Sequence, residues 1–70
     1  MNRDIEKLII NFMEQQKKSV NRTFLSTREI ADAVGLTIYQ VRGYLEALQS
    51  SFVVEKVNYG RGSPGQWRLL

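Results

Sequence analysis

Residues 3 to 18 place their apolar side chains on one side of a helical period. Ile5, Leu8, Ile9, Phe12 and Met13 recur at i, i+3, i+4, i+7 and i+8, with Arg3, Asp4, Lys7, Asn11, Glu14 and Lys18 on the remaining surface. This spacing predicts an amphipathic helix. Asn2 is a candidate cap, Asp4 and Glu6 suit the positive end of the helix dipole, and Lys17 and Lys18 suit its negative end. The period then breaks. Residues 19 to 25, SVNRTFL, read as a loop with a short strand near Thr23 to Leu25.

Ser26-Thr27-Arg28-Glu29 is an S-x-x-E capping box. Ile30, Ala33 and Val34 follow it at helical spacing. Gly35 comes two turns later, where a helix commonly ends in a left-handed residue. Thr37 is a good N-cap for a third helix over residues 38 to 49. Ile38, Val41, Leu45 and Leu48 form its apolar face, with Tyr44 at the margin. Tyr39, Gly43, Glu46 and Ala47 point the other way, flanked by Gln40 and Arg42. Residues 52 to 57, FVVEKV, are rich in strand formers, and QWRLL alternates polar and apolar residues. Between them NYGRGSPG holds three glycines and the only proline, so the two strands form a hairpin. Three helices followed by a terminal hairpin describe a winged helix-turn-helix domain, mainly α with a small β component. It occupies residues 1–70 as a single domain, with residues 58 to 65 as the wing.

Composition narrows what such a domain can do. The 70 residues contain no cysteine and no histidine. That excludes disulfides, thiolate or imidazole metal sites, Cys nucleophiles and a Ser-His-Asp triad. The carboxylates are scattered, with no pair set for acid-base work and no metal-ligand spacing, so neither an enzyme nor a cofactor is expected. GRGSPG lacks the Lys-Ser/Thr ending of a phosphate loop and does not open a helix. The net charge is +3 and the pI about 9.6, which permits an anionic partner without requiring one. No apolar run is long enough to span a membrane, and the first residues do not read as a signal peptide. The absence of cysteine in so short a chain argues for a reducing compartment, and a monomer with no membrane partner is the expectation.

The segment TREIADAVGLTIYQVRGYLEAL carries the most information. Ala31 is the small residue needed early in the first helix of a helix-turn-helix pair. Gly35 is the turn residue, Leu36 the apolar residue after it, and Val41 the apolar residue midway along the second helix. Close packing at these positions leaves the outer face of the second helix free for a DNA groove. On that face Gln40 matches adenine and Arg42 matches guanine, while Tyr39 suits a thymine methyl or a phosphate. Arg28, in the first turn of the middle helix, suits a backbone phosphate. Arg61, alone among wing glycines, suits a minor groove or a phosphate. Lys17, Lys18, Arg22 and Lys56 are weaker phosphate candidates. Phe12, Phe24, Phe52 and Trp67 read as core or core margin, with Trp67 pinning the hairpin to the helices. The competing reading is a winged helix that docks another protein and never touches DNA. The near-neutral third helix, where Glu46 offsets Arg42, motivates it.

TREIADAVGLTIYQVRGYL, followed by a strand and then R-G-x4-W at Arg61, Gly62 and Trp67, resembles the small regulators of enterobacterial fimbrial operons of the PapI and FaeA type. The pattern T-x-Y-Q-x-R-x-Y-L falls on Thr37, Tyr39, Gln40, Arg42, Tyr44 and Leu45. The resemblance implies a cytoplasmic winged-helix transcription regulator. It would act at fimbrial promoter DNA carrying GATC sites, beside the leucine-responsive regulatory protein, with Dam methylation setting phase variation. It also implies Gln40, Arg42 and Arg61 as the leading DNA contacts, with Tyr39 next.

Overall fold

The computed structural model describes residues 2–57 and 65–70. Their order is α1 (Asn2–Ser19), β1 (Leu25–Ser26), α2 (Thr27–Val34), α3 (Ile38–Ser50), β2 (Val54–Val57) and β3 (Gln66–Leu69). The strands form one antiparallel sheet in the order β1-β3-β2. β3 is central, with Trp67 opposite both Leu25 on β1 and Lys56 on β2. This is the winged helix-turn-helix architecture that the residue pattern predicts.

Local chemistry sets each boundary. α1 begins at Asn2, so Asn2 is a helical residue rather than the cap. At its other end the amides of Val20 and Arg22 both donate to the Gln16 carbonyl, and Asn21 adopts a left-handed φ of 55°. Asparagine tolerates that conformation better than most residues. α2 opens on the expected box: the Ser26 hydroxyl accepts from the Glu29 amide, and Glu29 accepts from the Ser26 amide. It closes on Gly35 at φ 73°, and the amides of Gly35 and Leu36 both donate to the Ala31 carbonyl. A side chain at Gly35 would carry the steric cost of the left-handed region.

The core joins all the elements. Ile9 and Met13 from α1, Ile30 and Ala31 from α2, and Val41, Leu45 and Leu48 from α3 meet Leu25, Val54 and Trp67 from the sheet. Trp67 is 1% exposed, and its indole N–H donates to the Thr27 hydroxyl at 2.9 Å. That bond links the middle of β3 to the first residue of α2.

Four apolar residues stand further out than the pattern predicts. Leu8 and Ile38 are 49% and 42% exposed, each at an edge of its helix face that no element among the described residues covers. Ala33 is exposed, and Ala31 takes the buried place on α2. Phe52 departs most. It is 82% exposed with φ 61°, and the strand starts only at Val54. The cause lies in the helix exit. α3 ends at Ser50 and Ser51 with no glycine, so the left-handed residue that reverses the chain falls on Phe52. The amides of Phe52 and Val53 donate to the Gln49 and Leu48 carbonyls. Removing Cβ strain is the usual reason for glycine at such a site, and a bulky residue there carries roughly 1–2 kcal/mol of strain.

The Trp67–Thr27 bond generates a stability prediction. Thr27→Val keeps the shape but leaves a buried indole N–H without a partner, at a cost of about 2 kcal/mol in urea unfolding. Thr27→Ser, which keeps the hydroxyl, should lose clearly less. Equal losses in the two variants would show that the hydroxyl bond contributes little.

Candidate nucleic-acid interface

α3 owes its orientation to its first turn. The Thr37 hydroxyl accepts from the Gln40 amide at 3.1 Å, and the Gln40 carboxamide oxygen accepts from the Thr37 amide at 3.0 Å. The Thr37 hydroxyl also donates to that carboxamide oxygen. This is a second capping box, and it gives Gln40 a role in the fold beyond the base contact its carboxamide suggests. The T-x-x-Q spacing was the available signal.

Beyond that turn, α3 buries Val41, Leu45 and Leu48 and leaves its other side open. Tyr39 is 84% exposed. Gln40, Arg42, Gly43, Glu46 and Ala47 are exposed beside it, and Tyr44 is half-buried at the margin. An added Cβ at Gly43 would meet nothing within 4 Å, so internal packing does not require glycine there. Tyr39, Gly43 and Ala47 line a shallow hollow with Gln40, Tyr44 and Glu6 of α1. The face therefore offers the exposed Tyr39 ring with Tyr44 at its margin, two small residues, the Arg42 guanidinium and the Glu46 carboxylate.

The candidate contacts are not equally free. Arg42 pairs with Glu46 one turn on, at 3.7 Å, with both side chains about 60% exposed. An exposed i,i+4 pair of this kind contributes about 0.5 kcal/mol or less, so binding elsewhere breaks it readily. A bidentate Arg–guanine contact is worth about 1–3 kcal/mol of discrimination, which exceeds that loss. Gln40 must free its carboxamide oxygen from Thr37 before it can make the two-bonded contact that adenine requires. That trade removes about 1 kcal/mol of capping, although the Thr37 hydroxyl can still cap the Gln40 amide. Arg42 is therefore better placed than Gln40 for base readout.

Arg28 is exposed in the first turn of α2 and makes no ion pair among the described residues. Arg22 is committed elsewhere: its guanidinium pairs with the Glu29 carboxylate that closes the α2 box. Lys56 lies over the Trp67 ring, 5.8 Å from its centroid. Arg61 and the wing tip fall outside the described residues. β2 and β3, which carry the wing, are in register from Val54–Leu69 to Val57–Gln66. No helix among the described residues is long and apolar enough to cross a membrane.

The profile of the FaeA-like protein family matches residues 5–70. The chain belongs to the FaeA-like family. The resemblance carried by the Tyr39-Gln40 and Arg42 pattern is thus matched over nearly the whole chain. None of the curated proteins compared with the chain matches it. Among solved structures it is similar to the Zα domain of PKZ from Carassius auratus, determined in complex with Z-DNA. The two share 28% sequence identity and superimpose with a TM-score of 0.81, over 99% of this chain and 97% of that one.

Glu29 generates a pH prediction. The hydrogen bond from Arg22 holds its pKa below the ordinary 4.5, against partial burial that pushes it up; the bonds from Ser26 add to the lowering. The folded value is lower than the unfolded one. Its stabilisation is therefore complete above the unfolded value and lost as pH falls through the folded value. The stability difference between the wild type and Glu29→Gln should shrink between pH 7 and pH 3 in urea unfolding. A constant difference would mean that the carboxylate charge contributes nothing.

Proposed function

We propose that this chain is a DNA-binding transcription regulator that seats the Tyr39–Arg42 face of α3 against a duplex. One observation carries the reading: an uncovered α3 face, held by two capping boxes, in a frame shared with a domain that binds a DNA duplex. Arg42 reads a base, Tyr39 packs on a sugar, methyl or phosphate, and Arg28 takes a backbone phosphate. Arg61 reaches from the wing, and Gln40 joins only when it leaves Thr37. Family membership supports a finer form of the proposal. The chain acts in the cytoplasm as a single-domain monomer at GATC-containing fimbrial promoter DNA. It acts with the leucine-responsive regulatory protein, so that Dam methylation governs phase variation.

The Arg42–Glu46 pair favours a second reading, in which the domain docks only another protein. A carboxylate beside the leading contact lowers the local positive potential. Titration against a labelled promoter duplex, with and without the leucine-responsive partner, separates the two. Contact with four or five phosphates gives a slope of log K against log salt of about −4. The same titration on duplexes held in B and Z form identifies the geometry that α3 accepts. Equal affinity for promoter and random DNA, unchanged by the partner, would remove the regulator reading.

Arg42→Ala should relax preference at one base pair by about 1–3 kcal/mol while leaving other positions unchanged. Uniform weakening on every sequence would instead assign Arg42 to a phosphate.

A further inference from the structure

Gly43 sits in the middle of α3 without a use inside the molecule. Its position is helical, and its φ lies outside the left-handed region. An added Cβ would meet nothing within 4 Å, so alanine would fit. Glycine inside a helix is less stable than alanine there, because it loses more backbone freedom on folding. Gly35 is different: its φ of 73° serves the turn between α2 and α3. A destabilising residue that the fold does not need is a reason to look for a group outside the chain that comes close to the helix backbone.

The surroundings of Gly43 narrow the chemistry of that group. Tyr39 lies one turn before it and Ala47 one turn after it, both exposed. With Gln40, Tyr44 and Glu6 they line the shallow hollow beside α3. That lining contains no lysine or arginine, and its one carboxylate, Glu6, repels a phosphate. What it offers is tyrosine ring, alanine methyl and bare glycine backbone. On the major-groove edge of a duplex the apolar projection is the C5-methyl group of thymine. Ile10, Val53 and Leu70 line a separate groove on the face formed by α1 and the end of the sheet, and take no part.

Resting on the duplex reading above, we propose that Gly43 is a specificity-determining residue. Its missing side chain opens the hollow between Tyr39 and Ala47 to a thymine methyl. Arg42 precedes Gly43 on the helix, so this thymine lies at or beside the base pair that Arg42 reads. Tyr39 is thereby assigned to the methyl, and the phosphates are left to other residues. Burying one methyl is worth roughly fourfold in affinity.

The test measures the affinity of the full chain for a GATC-containing fimbrial promoter duplex and for copies with deoxyuridine in place of one thymine at a time. Deoxyuridine pairs as thymine does and lacks only the methyl. One such replacement should weaken the wild type roughly fourfold, with little effect at the other thymines. Gly43→Ala should raise the midpoint of urea unfolding, yet bind the unmodified duplex more weakly and discriminate less between thymine and deoxyuridine. A glycine kept for folding would not give that combination. Gly43→Val, which fills the hollow, should bind the two duplexes equally. Duplex binding with no deoxyuridine effect at any thymine, wild-type affinity and thymine preference in Gly43→Ala, or a lowered midpoint in Gly43→Ala would each overturn the proposal and leave the DNA reading in place. A wild type that binds no duplex would overturn both.

Discussion

The indole N–H of Trp67 and the hydroxyl of Thr27 hold this domain in its working shape. Trp67 is the largest fully buried side chain and lies on the central strand, so one residue touches both layers of the fold. Its partner opens α2, the helix that leads through Gly35 into α3. The sheet that carries the wing and the helix pair that carries α3 are therefore joined by a buried hydrogen bond as well as by the shared apolar core. A wing and a recognition helix act on one duplex only if their relative position is set before binding. Preorganisation of this kind lowers the ordering cost of association.

The two capping boxes extend that constraint along the chain. Ser26 and Glu29 start α2 immediately before Thr27, and Thr37 and Gln40 start α3 just beyond the turn. Each satisfies amides that a short helix would otherwise leave bare. The second box gives Gln40 a structural role that competes with base contact. The open α3 face is consequently balanced between polar groups committed to the fold and groups held loosely. Arg42 is loosely held, since its pair with Glu46 is exposed and weak. The net charge of +3 is modest, so shape and a few loosely held side chains matter more on this face than bulk attraction.

Much of this was legible in the residues, for identifiable reasons. S-x-x-E, Gly35 and Thr37 each demand one backbone geometry, so the helix-turn-helix pair was readable. Trp67 was readable as the pin because a lone tryptophan on a short strand has little else to pack against than the helices. Periodicity was less informative about extent. It marks the direction of a helix face but not where neighbouring elements stop, and so Leu8 and Ile38 looked buried. Phe52 misled for a different reason. Its apolar identity suggested burial, while the absence of a glycine after α3 forced it into the reversing position. Gln40 was recognised for its hydrogen-bonding capacity, but sequence alone did not show that Thr37 would use that capacity first. Of the candidate contacts, Arg28, Tyr39 and Arg42 are exposed, on α2 and α3.

A duplex seated on this domain must meet the open side of α3. Amide chemical-shift mapping of the labelled chain with a promoter duplex tests that most directly. The predicted result is a contiguous set of shifts at Arg28, Tyr39, Arg42, Gly43 and Ala47, with Ile10, Val53 and Leu70 unmoved. Shifts confined to the α1 and Leu70 face, or an α3 that stays unperturbed at saturating DNA, would contradict it.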